Sequence, residues 1–377
     1  MIELSEHVIE ALGKDKEFNL YRGRNKGDNS HVLVLSPVAE YPAPETLKRL
    51  EHEYSLREEL DPTWAARAMA ITRYWDRTVL VLEDPGGVPL DQLLGQSLDL
   101  AFSLRLAVGL SGVIERLHRC GIIHKDIKPA NVLVNCATAR CWLKGFGIAS
   151  QLVRERQSAG SPELVAGTLA YMAPEQTGRM NRSVDSRSDL YAFGVSLYQM
   201  LTGSLPFTAS DPMEWVHCHI ARKPLPPEER SPRIPASVSA IVMKLLAKTA
   251  EGRYQTAAGV GSDLRRCLAE WESQGQVVEF PLGEHDIPDR LLIPERLYGR
   301  TPEIATLIAS FDRVVATGGS ELVLVSGYSG IGKSSVVNEL QKVLVPPRGF
   351  PASASLPNLP SLSLEHSPTW HPSRPDE

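Results

Sequence analysis

The sequence predicts an α+β chain of two lobes, one small and β-rich and one larger and helical, followed by a short α/β fragment and a tail that builds no core. Three observations predict it. Short β-branched or apolar runs at Phe18–Tyr21, His31–Leu35 and Thr78–Leu82 read as strands. From Phe102 onward apolar residues step at threes and fours, the period of a helix. After Pro346 that periodicity stops, and proline and serine fill 14 of 32 positions, too many for a packed core.

Each element follows from local chemistry. Pro44 to Leu60 is expected as a helix, with Leu47, Leu50, Tyr54 and Leu56 near helical spacing and Asp61-Pro62 closing it. Asp84-Pro85-Gly86-Gly87 is a turn and linker signal. The helix carrying Phe102, Leu106, Leu110, Val113, Ile114 and Leu117 ends at Gly121. Further helices are expected over Ser188–Thr202, Pro212–Ala221, Ala236–Leu246 and Ala257–Gln274. These runs divide the chain into a first domain at 8–271, a polar proline-bearing linker at 272–296, a P-loop block at 297–345 and a disordered tail at 346–377. In the third block, Thr301–Val315 reads as amphipathic helix, Glu321–Ser326 as apolar strand and Ser334–Val345 as helix. One parallel strand cannot bury both faces of a sheet, so this block reads as truncated, by a frameshift or premature end near Pro346.

Composition excludes some classes. A formal net charge of -5 supplies no basic surplus for phosphate backbones, so nucleic acid is not the expected partner. The five cysteines form no C-x-x-C pair, which fits buried, reduced thiols. His217-Cys218-His219 alternates along an expected helix, so its side chains diverge and do not converge on a metal. Met1–Glu6 lacks the basic start of a signal peptide, and no apolar run approaches the roughly 18 residues of a membrane span. A cytoplasmic protein is expected.

The chemistry concentrates in a few runs. His124-Lys125-Asp126-Ile127-Lys128-Pro129-Ala130-Asn131 fits H-R-D-x-x-x-x-N with lysine for arginine, between a long helix and the apolar strand Val132–Val134. Gly167-Thr168-Leu169-Ala170-Tyr171-Met172-Ala173-Pro174-Glu175 ends in A-P-E. Gly327-Tyr328-Ser329-Gly330-Ile331-Gly332-Lys333-Ser334 fits G-x-x-x-x-G-K-[ST] between a strand-like and a helix-like run. In such a loop Gly327, Gly330 and Gly332 turn backbone N–H groups onto phosphate, Lys333 meets the β/γ oxygens and Ser334 ligates Mg2+.

The first two runs resemble the catalytic loop and activation-segment end of a serine/threonine protein kinase. That resemblance implies the bilobal protein-kinase fold, ATP and Mg2+ as cofactors, and a protein substrate or regulatory protein partner. It makes Asp126 the base that accepts the substrate hydroxyl's proton, Lys128 the residue that steadies the transferring phosphate and Asn131 a magnesium ligand at the nucleotide site. It implies structural roles for Thr168 beside Asp126, for a Glu175–Arg253 pair and for Asp189 as anchor of the loop. Gly167–Phe207 further resembles the kinase module of bacterial trifunctional hybrids, which join a serine/threonine kinase, a P-loop ATP-binding domain and a sensor histidine kinase. Leu297-Tyr298-Gly299-Arg300 with the P-loop resembles the start of an AAA-type ATPase.

Two positions depart from the kinase pattern. The magnesium-binding D-F-G triplet is Gly145-Phe146-Gly147, and the lysine of the third strand is Leu35. Losing the metal carboxylate removes several kcal/mol of charge stabilisation, about a thousandfold or more in rate. Two functions therefore stand beside an impaired kinase: a pseudokinase scaffold or regulatory binding module, and a fragment of a P-loop signalling ATPase. The expected glycine loop, Tyr21–Gly27, is poor in glycine. Without the strand lysine, Glu53 is expected first as a surface helix charge, with a retained structural role as the alternative.

Overall fold

Short apolar runs make most of the first ninety positions a sheet, with one helix laid on it. The computed structural model describes residues 4–95, 97–151, 155–156, 167–180, 182–287, 299–328, 333 and 336–337. Strands β1 (His7–Lys14), β2 (Phe18–Asn25), β3 (His31–Pro37), β4 (Ala68–Tyr74) and β5 (Arg77–Glu83) form one antiparallel sheet in the order β1-β2-β3-β5-β4. Helix α1 (Pro44–Ser55) starts with proline at its first position, where the missing N–H costs nothing. It lays Leu50 onto Leu20, Leu33, Leu35, Leu80 and Leu82. The opposite sheet face buries Val32, Val34, Val79 and Val81. β1 and β4 were absent from the sequence expectation because both are largely uncovered and lack a clean apolar alternation.

After β6 (Val88–Pro89) the chain turns helical. Helix α2 (Leu100–Arg119) is capped by the Asp99 carboxylate, which accepts from the Phe102 amide. The hairpin of β7 (Val132–Asn135) and β8 (Arg140–Leu143) follows, then the two-residue pair β9 (Glu155–Arg156) and β10 (Ser183–Val184). Helix α3 (Ser186–Thr202) is buried on nearly every side and so carries apolar residues all round, ending on Gly203 at φ +74°. Helices α4 (Pro212–Ile220), α5 (Pro227–Arg230), α6 (Ala236–Leu245) and α7 (Ala257–Gln274) complete the lobe; α2, α3, α6 and α7 share one core built on Leu110, Ile114, Phe193, Ile241 and Leu264. This is the bilobal kinase architecture, a sheet with one helix followed by a helical lobe.

Beyond it, α8 spans Thr301–Thr317. Residues 319–328 carry no regular structure, so the expected strand at Glu321–Ser326 is not formed; Leu322 and Leu324 are exposed and no second strand pairs with them among the described residues. The expected helix from Ser334 lies almost wholly outside the described residues, as does the tail. Cys141, Cys218 and Cys267 are buried, but Cys120 and Cys136 are exposed.

Candidate functional site

Backbone register builds the site. β7 and β8 pair with Val132 opposite Leu143, so the residues just beyond that pair, Asn131 and Lys144, emerge side by side, joined by a 3.0 Å bond from the Lys144 amide to the Asn131 carbonyl. The segment before Asn131 is fixed from below. Asp189 of α3, fully buried, accepts from the amides of His124 (2.9 Å) and Lys125 (2.8 Å) and from His118 Nε2 (2.9 Å). Burial alone raises a carboxyl, but His118, His124 and these amides hold Asp189 below its ordinary value. Lys125 sits at φ +67°, and the Gln176 side-chain amide donates to its carbonyl at 2.8 Å, so the turn that presents the next residue is locked from both ends.

That next residue is Asp126. Its Oδ1 accepts from the Thr168 amide at 3.0 Å; its Oδ2 accepts from Asn131 Nδ2 and Lys128 Nζ, each at 3.0 Å. Lys128 Nζ also donates to Thr168 Oγ1 at 2.8 Å. The sequence-predicted group Asp126, Lys128, Asn131 and Thr168 thus converges. Glu175 and Arg253 form a buried bidentate pair at 2.6 and 2.8 Å, with Ser188 Oγ donating to the same carboxylate. All these groups border or support one cavity of about 660 Å3 between the lobes.

The roof of that cavity differs from the expectation. Tyr21–Asn25 belongs to β2 and Gly27 to the turn after it, away from the cavity; the hairpin overhead is Lys14–Phe18, because a strand already starts at His7. It carries Asp15, whose Oδ1 accepts from the amides of Glu17 and Phe18 and whose Oδ2 lies 3.4 Å from Lys128 Nζ. Burial would raise the Asp15 carboxyl, yet Lys128 and the two amides hold it below its usual range. Burial likewise pulls Lys128 down, and Asp126 and Asp15 outweigh it, keeping the ammonium charged. Glu17 is tied to α1 through Thr46 and Arg49. The polar turn between the apolar runs of β1 and β2 was the sequence signal that could have located this hairpin.

Leu35 does line the cavity, and no cation projects from β3 there. Glu53, expected on the surface, is buried instead, and its Oε1 accepts from the Gly145 amide at 2.9 Å; burial raises its carboxyl. Sequence reasoning also missed Lys144. It is buried, lines the cavity and donates to Asn131 Oδ1 at 3.4 Å. A lysine closing the apolar run Cys141–Leu143, directly before Gly145, was its only trace.

The donor set does not suit a magnesium ion. At the metal-carboxylate position Gly145 offers none, and Asn131 turns its amide nitrogen to Asp126 and its oxygen to Lys144. No cluster of three acidic, histidine or cysteine side chains able to hold a metal exists among the described residues. A Cβ at Gly145 would stand 2.8 Å from Asn131 Oδ1, so an aspartate there displaces the asparagine. The cavity has room for a nucleotide, and Lys128 and Lys144 line it beside the carboxylates of Asp15, Glu17, Glu53 and Asp126. In the third block, Lys333 Nζ donates to the carbonyls of Gly327 (2.8 Å) and Tyr328 (2.9 Å); Gly330, Gly332 and Ser334 lie outside the described residues. No helix among the described residues is long and apolar enough to cross a membrane.

Comparison with known proteins points the same way. The family described as protein kinase domain matches residues 7–262, and the family described as AAA ATPase domain matches 296–365, running past Pro346. Serine/threonine-protein kinase PknB of Mycobacterium tuberculosis is 42% identical over 149 residues, 40% of this chain and 23% of that protein. Hybrid signal transduction histidine kinase G of Dictyostelium discoideum is 36% identical over 195 residues, 46% of this chain and 6% of the relative. A probable serine/threonine-protein kinase of Corynebacterium efficiens is 34% identical over 188 residues, 49% of this chain and 28% of its own length. The chain therefore spans less than a third of each of these relatives.

Proposed function

The chain belongs to the protein kinase domain family, and from that premise we propose that it is a serine/threonine-kinase-type signalling domain that holds ATP but transfers its phosphate poorly, serving chiefly as a regulatory binding module for a protein partner. One observation carries this reading: Asp126 keeps its full set of positioning contacts at a cavity where the strand lysine is Leu35 and the metal carboxylate is Gly145. An active kinase needs Asp126 to accept the serine or threonine proton while the hydroxyl oxygen attacks the γ-phosphorus and ADP leaves. Asp126 and Lys128 have the positions for that step. The charge developing on the phosphoryl oxygens lacks its usual counter-ions, which accounts for a loss of about a thousandfold or more.

The match of the third block to the AAA ATPase domain supports a second nucleotide site at Lys333, with Gly327, Gly330, Gly332 and Ser334 as the rest of its loop and Mg2+ on Ser334. Together with the similarity to a hybrid histidine kinase, it supports placing the chain in the family of multidomain signalling hybrids.

The test is phosphotransfer from γ-labelled ATP by the full chain, to itself and to myelin basic protein, beside Asp126→Asn. We expect only trace transfer, lowered further or lost in Asp126→Asn. Rapid transfer abolished by Asp126→Asn overturns the reading in favour of an active kinase.

A further inference from the structure

Lysine is seldom buried without a carboxylate, because removing an ammonium from water costs several kcal/mol unless other groups replace its hydration. Lys144 is such a case, at 6% exposure. Its one acceptor among the described residues is Asn131 Oδ1, at a distance beyond the usual range for an N–H···O bond, and it makes no ion pair. Of the acids that attract it, Glu53 takes the Gly145 amide and Asp15, with Asp126, holds Lys128; Asp91 acts on it without an ion pair. Two of Lys144's three donors therefore lack partners among the described residues, and the side chain lines the cavity.

The position matters as much as the deficit. Leu35 leaves the neighbouring strand without a cation, and Gly145, the residue after Lys144, leaves the turn without a metal carboxylate. Lys144 lines the same cavity as Leu35 and Gly145. Glu53 attracts the Lys144 ammonium across the cavity wall, but the two make no ion pair among the described residues, so Glu53 takes up none of its N–H donors.

We propose that Lys144 is the relocated cation of this pocket: with Lys128 it receives the phosphate groups of a nucleoside triphosphate directly, with no divalent ion between. The assignment rests on the nucleotide reading of the cavity. Burial, which lowers the affinity of Lys144 for its proton, strengthens its attraction to an arriving anion and is relieved by it. Such a site discriminates nucleotides by phosphate count, since each oxygen that reaches an unsatisfied N–H replaces a missing bond.

The experiment is calorimetric titration of the full chain in EDTA, with Lys333→Ala in every arm to silence the second nucleotide motif. ATP is expected to bind at least tenfold more tightly than adenosine. Lys144→Met is expected to weaken ATP at least tenfold while leaving adenosine within twofold, and Lys144→Arg to retain part of the difference. Equal ATP affinity in Lys144→Met and its parent overturns the assignment but not the nucleotide reading. Absence of binding by either ATP or adenosine, with or without magnesium, overturns both. Should Lys144→Met fail to fold by thermal melting, the ATP-to-adenosine ratio in the unsubstituted pocket decides alone, and a ratio near one overturns the assignment.

Discussion

Glu53 of α1 meets Gly145 of the turn after β8: its Oε1 accepts the glycine amide at 2.9 Å, ninety-two residues away in sequence. A helix glutamate that would ordinarily pair with a strand lysine is here bonded to backbone. Leu35 provides no cation, so the carboxylate settles on the nearest N–H and seals α1 against the turn.

That substitution of a dipole for a charge makes Glu53 sensitive to pH. Burial raises its folded-state affinity for protons, while the Gly145 and Phe146 amides, Lys144 and His52 oppose the rise. A carboxyl raised in the folded state contributes stability that is complete below its unfolded value and is lost as pH climbs through the folded value. Glu53→Gln, which can still accept from Gly145, is expected to match the parent below pH 4 and to melt a few degrees higher at pH 8. Thermal melts across that range check it, and a parent that gains on the variant with rising pH contradicts it.

Arg253 and Glu175 are both buried and bidentate, so removing one strands the other. Arg253→Met is expected to destabilise the domain by about 3–5 kcal/mol in urea denaturation, without requiring any change at the cavity. A loss under about 1 kcal/mol would mean that the pair is exposed in solution.

Asp15 places a negative charge over the cavity, 3.4 Å from Lys128. Asparagine preserves the acceptor for the Glu17 and Phe18 amides and removes the charge. Asp15→Asn is therefore expected to tighten ATP binding about tenfold, on the order of 1–2 kcal/mol, measured in the Lys333→Ala background. Unchanged or weaker affinity would show that Asp15 moves away when nucleotide enters.

Helix periods and contiguous motifs were legible before the structure because their information is local. α7 begins at Ala257 and ends at Gln274 as its threonine cap and terminal glycine dictate, and the His124–Asn131 loop places Asp126, Lys128 and Asn131 together. What could not be read depends on one lobe meeting the other. Glu53 looks like any helix-surface acid until α1 docks on Gly145. Lys144 becomes a cavity residue only because β8 pairs with β7 in a register that sets it beside Asn131. The Asp15 hairpin was displaced in sequence by an edge strand whose side chains are half solvated and carry little pattern.

The most direct test of the central claim, that lysine has taken over from metal in this pocket, is the magnesium dependence of ATP affinity in the full chain carrying Lys333→Ala. The dissociation constant is expected to agree within threefold between EDTA and saturating magnesium; a tenfold or greater tightening by magnesium would contradict the account.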